Sequence, residues 1–401
     1  MNAFFPELET GPCFKCPLEP GGCKIPPQHP QKAVIAVVGS APDAADEFNR
    51  VPFSGPAGDL LRSALLAAGI DPSLAAFVFL TRCRPGGDDF DGPAWDRAAR
   101  RCQAYLDADL AAVPGVPLLL LGSKPLRAFS AERKPTVGAM RGLWVRGVGR
   151  ECFVARDPRD VLAAQDLSTR NALVAEFKDD VRRMAPKILG REPDSGVKMQ
   201  VFFYDSPEAA RGTLESLAAT PGPWAFDIET YDAAEFPSRR AVATDPCHPD
   251  FRLRGIAFAW GADRGAWVDC KGWEPRVAEA RELLAPVFGS PAEKWAFSGH
   301  FDEEGIVYPG WAPEVRNRTG DGMLALVALS DGTHDSLRLE KAVVDVLRKP
   351  QYWDGFDKGR MRDIPIQFVA RNAVGDACHT FALCEMLHGR LDRGDYMTWR
   401  K

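Results

Sequence analysis

Three short runs with almost nothing polar inside them constrain this chain most: "AVIAVVG" at 33–39, a second at 76–81, and "VPLLLLG" at 116–122. A strand that is apolar at every position has both faces covered, which marks a parallel sheet between layers of helix. Helix-like stretches separate the runs. One is "AGDLLRSALLAAG" at 57–69, ending on a glycine suited to a C-cap, and another covers 93–112. Strand, helix, strand, helix, strand is the grammar of an α/β layer fold.

At 401 residues the chain exceeds one ordinary core. The stretch "PKILGREPDSGVK" at 186–198 is rich in proline, glycine and charge and has no period. It places a linker at 189–198, between domains at 1–188 and 199–401. Alternation then restarts. "MQVFFYD" reads as a strand, 207–219 as a helix and "WAFDIET" at 224–230 as a strand, followed by a hairpin of "LRGIAFAWG" and "RGAWVDC" joined at 261–264. Helices are expected at 274–288, 321–330 and 367–389.

No apolar segment approaches the roughly 20 residues that span a bilayer, and "MNAFFPELET" lacks the basic head and apolar centre of a signal peptide. The expectation is a cytoplasmic protein with no membrane partner. A net charge of -5 excludes a chain-wide basic surface, so nucleic-acid contact would rest on local residues such as Arg82, Arg84, Arg100, Arg101, Arg141 and Arg146.

In "WAFDIET", Asp227 and Glu229 are two apart, so on a strand they share one face while Phe226 and Ile228 enter the core. Taken alone, this pair could simply be a strand running out into an acidic loop. Further acids follow: Asp302 in "FSGHFDEEGI", opening a helix-like stretch, Asp321 in "GDGMLALVAL", and Asp376 inside the amphipathic "VARNAVGDACHTFALCEML". Phosphodiester hydrolysis gains from two divalent ions about 4 Å apart. Hard ions such as Mg2+ or Mn2+ prefer carboxylate oxygens, which explains why acids from distant segments would converge.

Asp227, Glu229, Asp302 and Asp376, in this order and in strand, helix and helix settings, resemble the DEDD 3'-5' exonucleases. The likeness is to the proofreading domain of family A DNA polymerases, over roughly residues 198–392. It implies an RNase H-like mixed sheet, two Mg2+ or Mn2+ held by these four acids with Asp227 bridging both, and a single-stranded or frayed DNA 3' end as substrate. A polymerase domain or subunit would be the partner. The resemblance suits a separate exonuclease subunit or a fragment of a longer polymerase, in a bacterial or phage-infected cell. Four positions differ or compete. Ser298 stands where the family has asparagine. Asn372 and Arg371 stand where a tyrosine or histidine orients the attacking water. His379 lies three residues after Asp376 and either substitutes for that water-orienting residue or is structural.

Ten cysteines in a reducing compartment favour thiols or metal ligands over disulfides. Cys13 and Cys16 form a C-x2-C pair, and Cys83 and Cys102 follow. Four such thiolates can cage zinc or a [4Fe-4S] cluster, and the spacing does not choose between them. Cys23, in a proline- and glycine-rich context, reads as a loop thiol.

"VVGSAPDAADEFNRVPFSGPAGDLLRSALLAAGI", "FLTRCRPGG" and "LLLLGSKPLRAF" resemble the iron-sulfur uracil-DNA glycosylases over roughly residues 8–186. This implies a three-layer α/β domain with a parallel central sheet, and a [4Fe-4S] cluster on Cys13, Cys16, Cys83 and Cys102. The pocket positions depart from the family. Ser40 replaces the acid that acts on water, Phe79 the asparagine that reads uracil, and Asp157, in "RDPRD", the histidine that stabilises the leaving anion. An anion cannot stabilise another anion. Phe53 keeps the aromatic that stacks under a flipped base.

The expectation is an exonuclease fused to a silent glycosylase-like DNA-binding domain. The alternatives are a bifunctional enzyme that also excises a uracil or modified base, and a non-catalytic DNA-binding scaffold.

Overall fold

The computed structural model describes residues 13, 16–18, 24–86, 92–130, 134–147, 149–191, 199–233, 240–330, 336–349 and 361–393. Cys23 and residues 192–198 of the expected linker lie outside them. The chain divides into two compact units, the first reaching Pro193 and the second beginning at Asp194.

In the first unit, β1 (Ile35–Gly39), β2 (Ala75–Phe79), β3 (Leu118–Leu121), β4 (Trp144–Arg146) and β5 (Glu151–Ala155) form one sheet in the order β2-β1-β3-β5-β4. Only β4 runs antiparallel, at one edge. The continuous apolar runs have the physical cause inferred above, because alternate residues of β1 enter two different cores. Ile35 and Val37 pack with Leu61, Leu65, Phe177 and Val181 from α1 (Pro56–Ala67) and α2 (Leu167–Ile188). Ala36 and Val38 pack with Trp95, Leu106 and Leu110 from the helix Pro93–Ala111. Two helical layers enclose the parallel sheet, giving the three-layer α/β arrangement.

Helix α2 runs through Pro186 to Ile188, past the start of the proline-rich stretch. Its buried face, which includes Met184 and Ala185, holds the last turn against the sheet despite the proline.

Among the described residues of the second unit, six strands form one sheet: β6 (Gln200–Tyr204), β7 (Trp224–Asp232), β8 (Phe251–Gly261), β9 (Arg264–Asp269), β10 (Lys294–Ala296) and β11 (Arg318–Asp321), in the order β11-β10-β7-β8-β9-β6. Pairs β7/β8 and β8/β9 are antiparallel, and β7/β10 and β10/β11 are parallel. Counted from the first acidic strand, β7, the order 3-2-1-4-5 with these directions is the RNase H-like mixed sheet. The helix expected at 207–219 begins at Arg211, after a turn at 207–210.

The two faces of this sheet pack on different helices. Trp224, Phe226, Ile228 and Phe258 fill one face with Leu284, Val287 and Phe288 of the helix Val277–Phe288. The other presents Ala225, Ala257 and Ala259 to the long helix α4 (Ile366–Asp392), whose Val369, Ala373, Val374 and Ala377 pack on it. Gly265 of β9 completes that small-residue floor. A Cβ there would sit 2.8 Å from Val374 Cγ1 and 2.4 Å from the Phe258 carbonyl oxygen, so only glycine admits α4 this close.

Candidate active site

Beyond Ala225, β7 carries Asp227 and then Glu229 on the face that α4 covers, because strand residues alternate. The close seat of α4 brings Asp376 to them. Ligand oxygens of Asp227, Glu229 and Asp376 all lie within 4.8 Å of one another, the one such group of metal-ligating side chains among the described residues. Glu229 and Asp376 are buried, and Asp227 is half-buried.

Asp302 reaches the same strand from the other direction. It lies in the first turn of α3 (His300–Val307), and its Oδ1 accepts the Ile228 N–H at 3.0 Å. β10 pairs with β7 only at Trp224 and Ala225. Past that point the carboxylate takes the backbone donor that a longer β10 would have used. Gly305, one turn on, permits the approach, since a Cβ there would fall 2.4 Å from Ile228 Cδ1. Burial raises the Asp302 carboxyl to about 7; the nearby Glu229 and Asp321 push the same way, against the Ile228 hydrogen bond. Carboxylates packed this tightly need cations, and an all-oxygen donor set of this kind fits hard divalent ions.

The residues considered for orienting water are engaged locally. Asn372 is buried and donates its amide to the Phe368 carbonyl one turn back, at 3.0 Å. Arg371 is exposed. Burial and the Lys349 charge lower the His379 imidazole to about 3. Ser298 is exposed and left-handed, with φ 62°. Asparagine tolerates that conformation better than serine.

In the first unit Cys13, Cys16 and Cys102 lie near enough to Cys83 to act on its charge, though no three of the four sulfurs fall within 4.8 Å of one another. Cys13 and Cys16 share a tight turn, with Cys16 N–H donating to the Cys13 carbonyl at 3.0 Å. Cys83 follows β2, and Cys102 lies on the helix Pro93–Ala111. Burial, then Cys102, Cys13 and Cys16, raise the Cys83 thiol to about 12. Cys102 is raised for like reasons. Thiols that repel each other's ionised forms in a buried corner fit a multivalent metal group.

The glycosylase-like positions stand at the carboxyl ends of β1, β2 and β5, the usual edge for ligands in such sheets. Here that edge is filled. Phe53 and Phe79 stack on each other, with centroids 4.7 Å apart and planes at 25°, and both are buried. Phe53 therefore offers no open aromatic face to a base, contrary to the sequence expectation, because its ring lies on the phenyl that replaces the base-reading asparagine. Gly39 makes room for the pair, since a Cβ there would be 2.7 Å from Phe53 Cζ and 2.8 Å from Phe79 Cδ1. Phe53 holds a left-handed φ of 53°, a genuine outlier for a bulky residue. Arg62 fixes it by donating to the Phe53 carbonyl.

Buried Asp157 caps the helix Pro158–Ala163 and pairs with Arg159 through bonds of 3.0 and 2.6 Å. Arg159 also donates to the Ala41 carbonyl at 3.0 Å, next to buried Ser40. Sequence reasoning missed Arg159; the signal was the D-P-R turn, which sets an N-cap acid two residues before a base. Of the arginines considered for DNA, Arg82 pairs with Asp109 and Arg141 with buried Asp180, while Arg100 and Arg101 are exposed.

Residues 26–182 match the family model described as the Uracil DNA glycosylase superfamily. A type-4 uracil-DNA glycosylase from Pyrobaculum aerophilum is 26% identical over 177 residues, 42% of this chain and 86% of that protein. Among solved structures, the catalytic core of RRP6 from Trypanosoma brucei is similar over 49% of this chain and 48% of its own, at 19% identity and a TM-score of 0.37. The POL domain of Pol1 from M. smegmatis, in complex with DNA primer-template and dNTP, is similar over 48% and 28%, at 16% identity and 0.34. The chain thus spans about half the length of the first of these structures. The first unit resembles the uracil-DNA glycosylases, and the type-4 branch supplies its curated relative. The second unit has an RNase H-like strand order, with Asp227, Glu229 and Asp376 gathered on its sheet.

Proposed function

We propose that the second unit is a divalent-metal-dependent 3'-5' exonuclease acting on single-stranded or frayed DNA ends, joined to a glycosylase-like domain that no longer excises bases. The observation that carries this reading is the convergence of Asp227, Glu229 and Asp376 within 4.8 Å, with Asp302 on the neighbouring backbone. These four acids would hold two Mg2+ or Mn2+, which when bound activate a water and stabilise the leaving oxygen. The protein's part is positioning. β7 and α4 set three carboxylates, and α3 sets the fourth. Asn372 has no basic group and is bonded to Phe368, and the His379 imidazole, lowered to about 3, is too weak a base to take a proton from water, so turnover rests on the metal site. By resemblance the partner is a polymerase domain or subunit, and Cys13, Cys16, Cys83 and Cys102 hold a [4Fe-4S] cluster with a structural role.

A second reading, a DNA-binding scaffold, draws on the Asn372 amide being spent within its own helix. The bifunctional reading is disfavoured by the Phe53–Phe79 stack. The test is degradation of a labelled single strand, with and without uracil, in Mg2+, Mn2+ or chelator. Shortening from the 3' end that needs metal and ignores uracil supports the exonuclease. Intact DNA under every metal would favour the scaffold, and alkali-labile abasic sites would revive excision.

A further inference from the structure

We infer that Asp321 is a positioning residue of the exonuclease centre, holding the loop and first turn that carry Asp302 rather than binding metal itself; this rests on the reading proposed above. Asp321 ends β11 and caps the helix Gly322–Leu329, its Oδ1 accepting Met323 N–H at 3.0 Å and Leu324 N–H at 3.2 Å. A cap needs no more than that. This carboxylate also reaches across to the segment before α3. Oδ1 accepts Ser298 N–H at 3.1 Å, and Oδ2 accepts Gly299 N–H at 2.9 Å.

A second tether runs through Arg318. Its Nε donates to Glu303 Oε2 at 2.9 Å, and its Nη1 lies 3.5 Å from Asp321 Oδ2. Glu303 is the residue after Asp302. The helix start is thus tied at 298, 299 and 303, on both sides of the acid, while Asp302 hydrogen-bonds Ile228. Three observations make this more than packing. Ser298 holds its left-handed φ of 62° while bonded to Asp321. Gly299 has no room for a side chain, since a Cβ would lie 2.4 Å from Ala296 Cβ. β10 is only three residues long, so little ladder fixes the loop that leaves it.

The two oxygens allow the roles to be separated. Asp321→Asn can keep Oδ1 as the cap, but it places an amide donor opposite the Gly299 N–H, removing the acceptor on the Oδ2 side. Magnesium binding by the full chain is measured calorimetrically, beside the melting temperature and the kcat and KM for a single-stranded substrate. Outer-shell partners of metal ligands typically matter by about 10- to 100-fold. The expected result is Mg2+ affinity and kcat lowered by about that factor, KM little changed, and melting nearly that of the wild type. Arg318→Met, which removes the Glu303 tether and the 3.5 Å contact with Asp321 but leaves the Asp321 bonds to Ser298 and Gly299, should move the same quantities by a smaller factor and serves if Asp321→Asn does not fold. Wild-type Mg2+ affinity and kcat in a folded variant, beside an active wild type, overturn the inference. A wild type that neither binds Mg2+ nor cleaves overturns the exonuclease reading, and the inference with it.

Discussion

The two units each end a sheet in a cluster of functional-type residues, and the clusters are built in opposite ways. At the carboxyl end of β7, small residues beneath α4 and Gly305 within α3 admit acids from three elements, and the site gathers repelling charges. At the carboxyl ends of β1, β2 and β5, the space is closed by Phe53 on Phe79, and the acid Asp157 is neutralised by its neighbour Arg159. A site that gathers like charges at a cost in stability is suited to a cation. One that stacks apolar rings and pairs its charge has gained stability and given up room for a ligand.

The sharpest way to break that contrast is to remove one acid from each. Asp227→Ala should lower metal-dependent 3'-5' cleavage by about 10³-fold or more, since preorganised charge in a dry site carries much of such catalysis. Asp157→Ala should leave cleavage unchanged, because its partners are a helix turn and Arg159. Comparable losses in the two variants would mean that the glycosylase-like edge takes part in the reaction.

Next in size is the cost of reopening the filled edge. Phe79→Ala removes a buried ring stacked on Phe53, and a buried Phe→Ala typically costs about 3–5 kcal/mol. Chemical denaturation of the first unit's transition would read this, and no uracil excision is expected from the variant because Ser40 and Asp157 are unchanged. A near-neutral substitution would mean that the ring pair already parts in solution, and that the pocket is available after all.

How far the sequence revealed these two outcomes depended on periodicity. Continuous apolar runs identified the parallel strands, and the two-residue step of Asp227 and Glu229 predicted a shared face, because both are local properties of the chain. Convergence of Asp376 on that face was readable only through resemblance. Its physical cause, the small Ala225, Ala257, Ala259 and Gly265 floor, is spread over three strands. The collapse of Phe53 onto Phe79 was illegible, since a strained φ and a glycine's missing Cβ acquire meaning only once β1 and β2 are side by side. Asn372 looked available because nothing local distinguishes an amide facing solvent from one bonded a turn back.

The charge side of the contrast predicts a pH effect in metal-free protein. The Asp302 carboxyl sits at about 7 in the fold, against about 3.9 in an unfolded chain. Between those values the folded state holds a proton that the unfolded state has lost, so stability falls as pH rises from about 4 to 7 and levels off above. Melting of the second unit should be lower at pH 8 than at pH 5.5 by roughly 5 °C. Mg2+ should restore more of it at the higher pH, and Asp302→Asn should flatten the dependence. An unchanged slope in Asp302→Asn would assign the effect to another group.

The smallest expected effect concerns backbone strain beside the acids. Ser298 is exposed and left-handed, a conformation that disfavours side chains with a Cβ, and its N–H rather than its hydroxyl makes the bond to Asp321. Ser298→Gly keeps that N–H and relieves the strain, but it also adds entropy to the unfolded chain, which offsets part of the gain. The balance should favour the variant by about 0.5–1 kcal/mol, raising the second unit's melting temperature by roughly 2 °C with Mg2+ affinity unchanged. Ser298→Asn should give a smaller gain of the same sign. A loss of both stability and Mg2+ affinity would show that the hydroxyl, not only the backbone, helps to set Asp302, and would extend the charged, cation-seeking character of this site to the loop that leads into it.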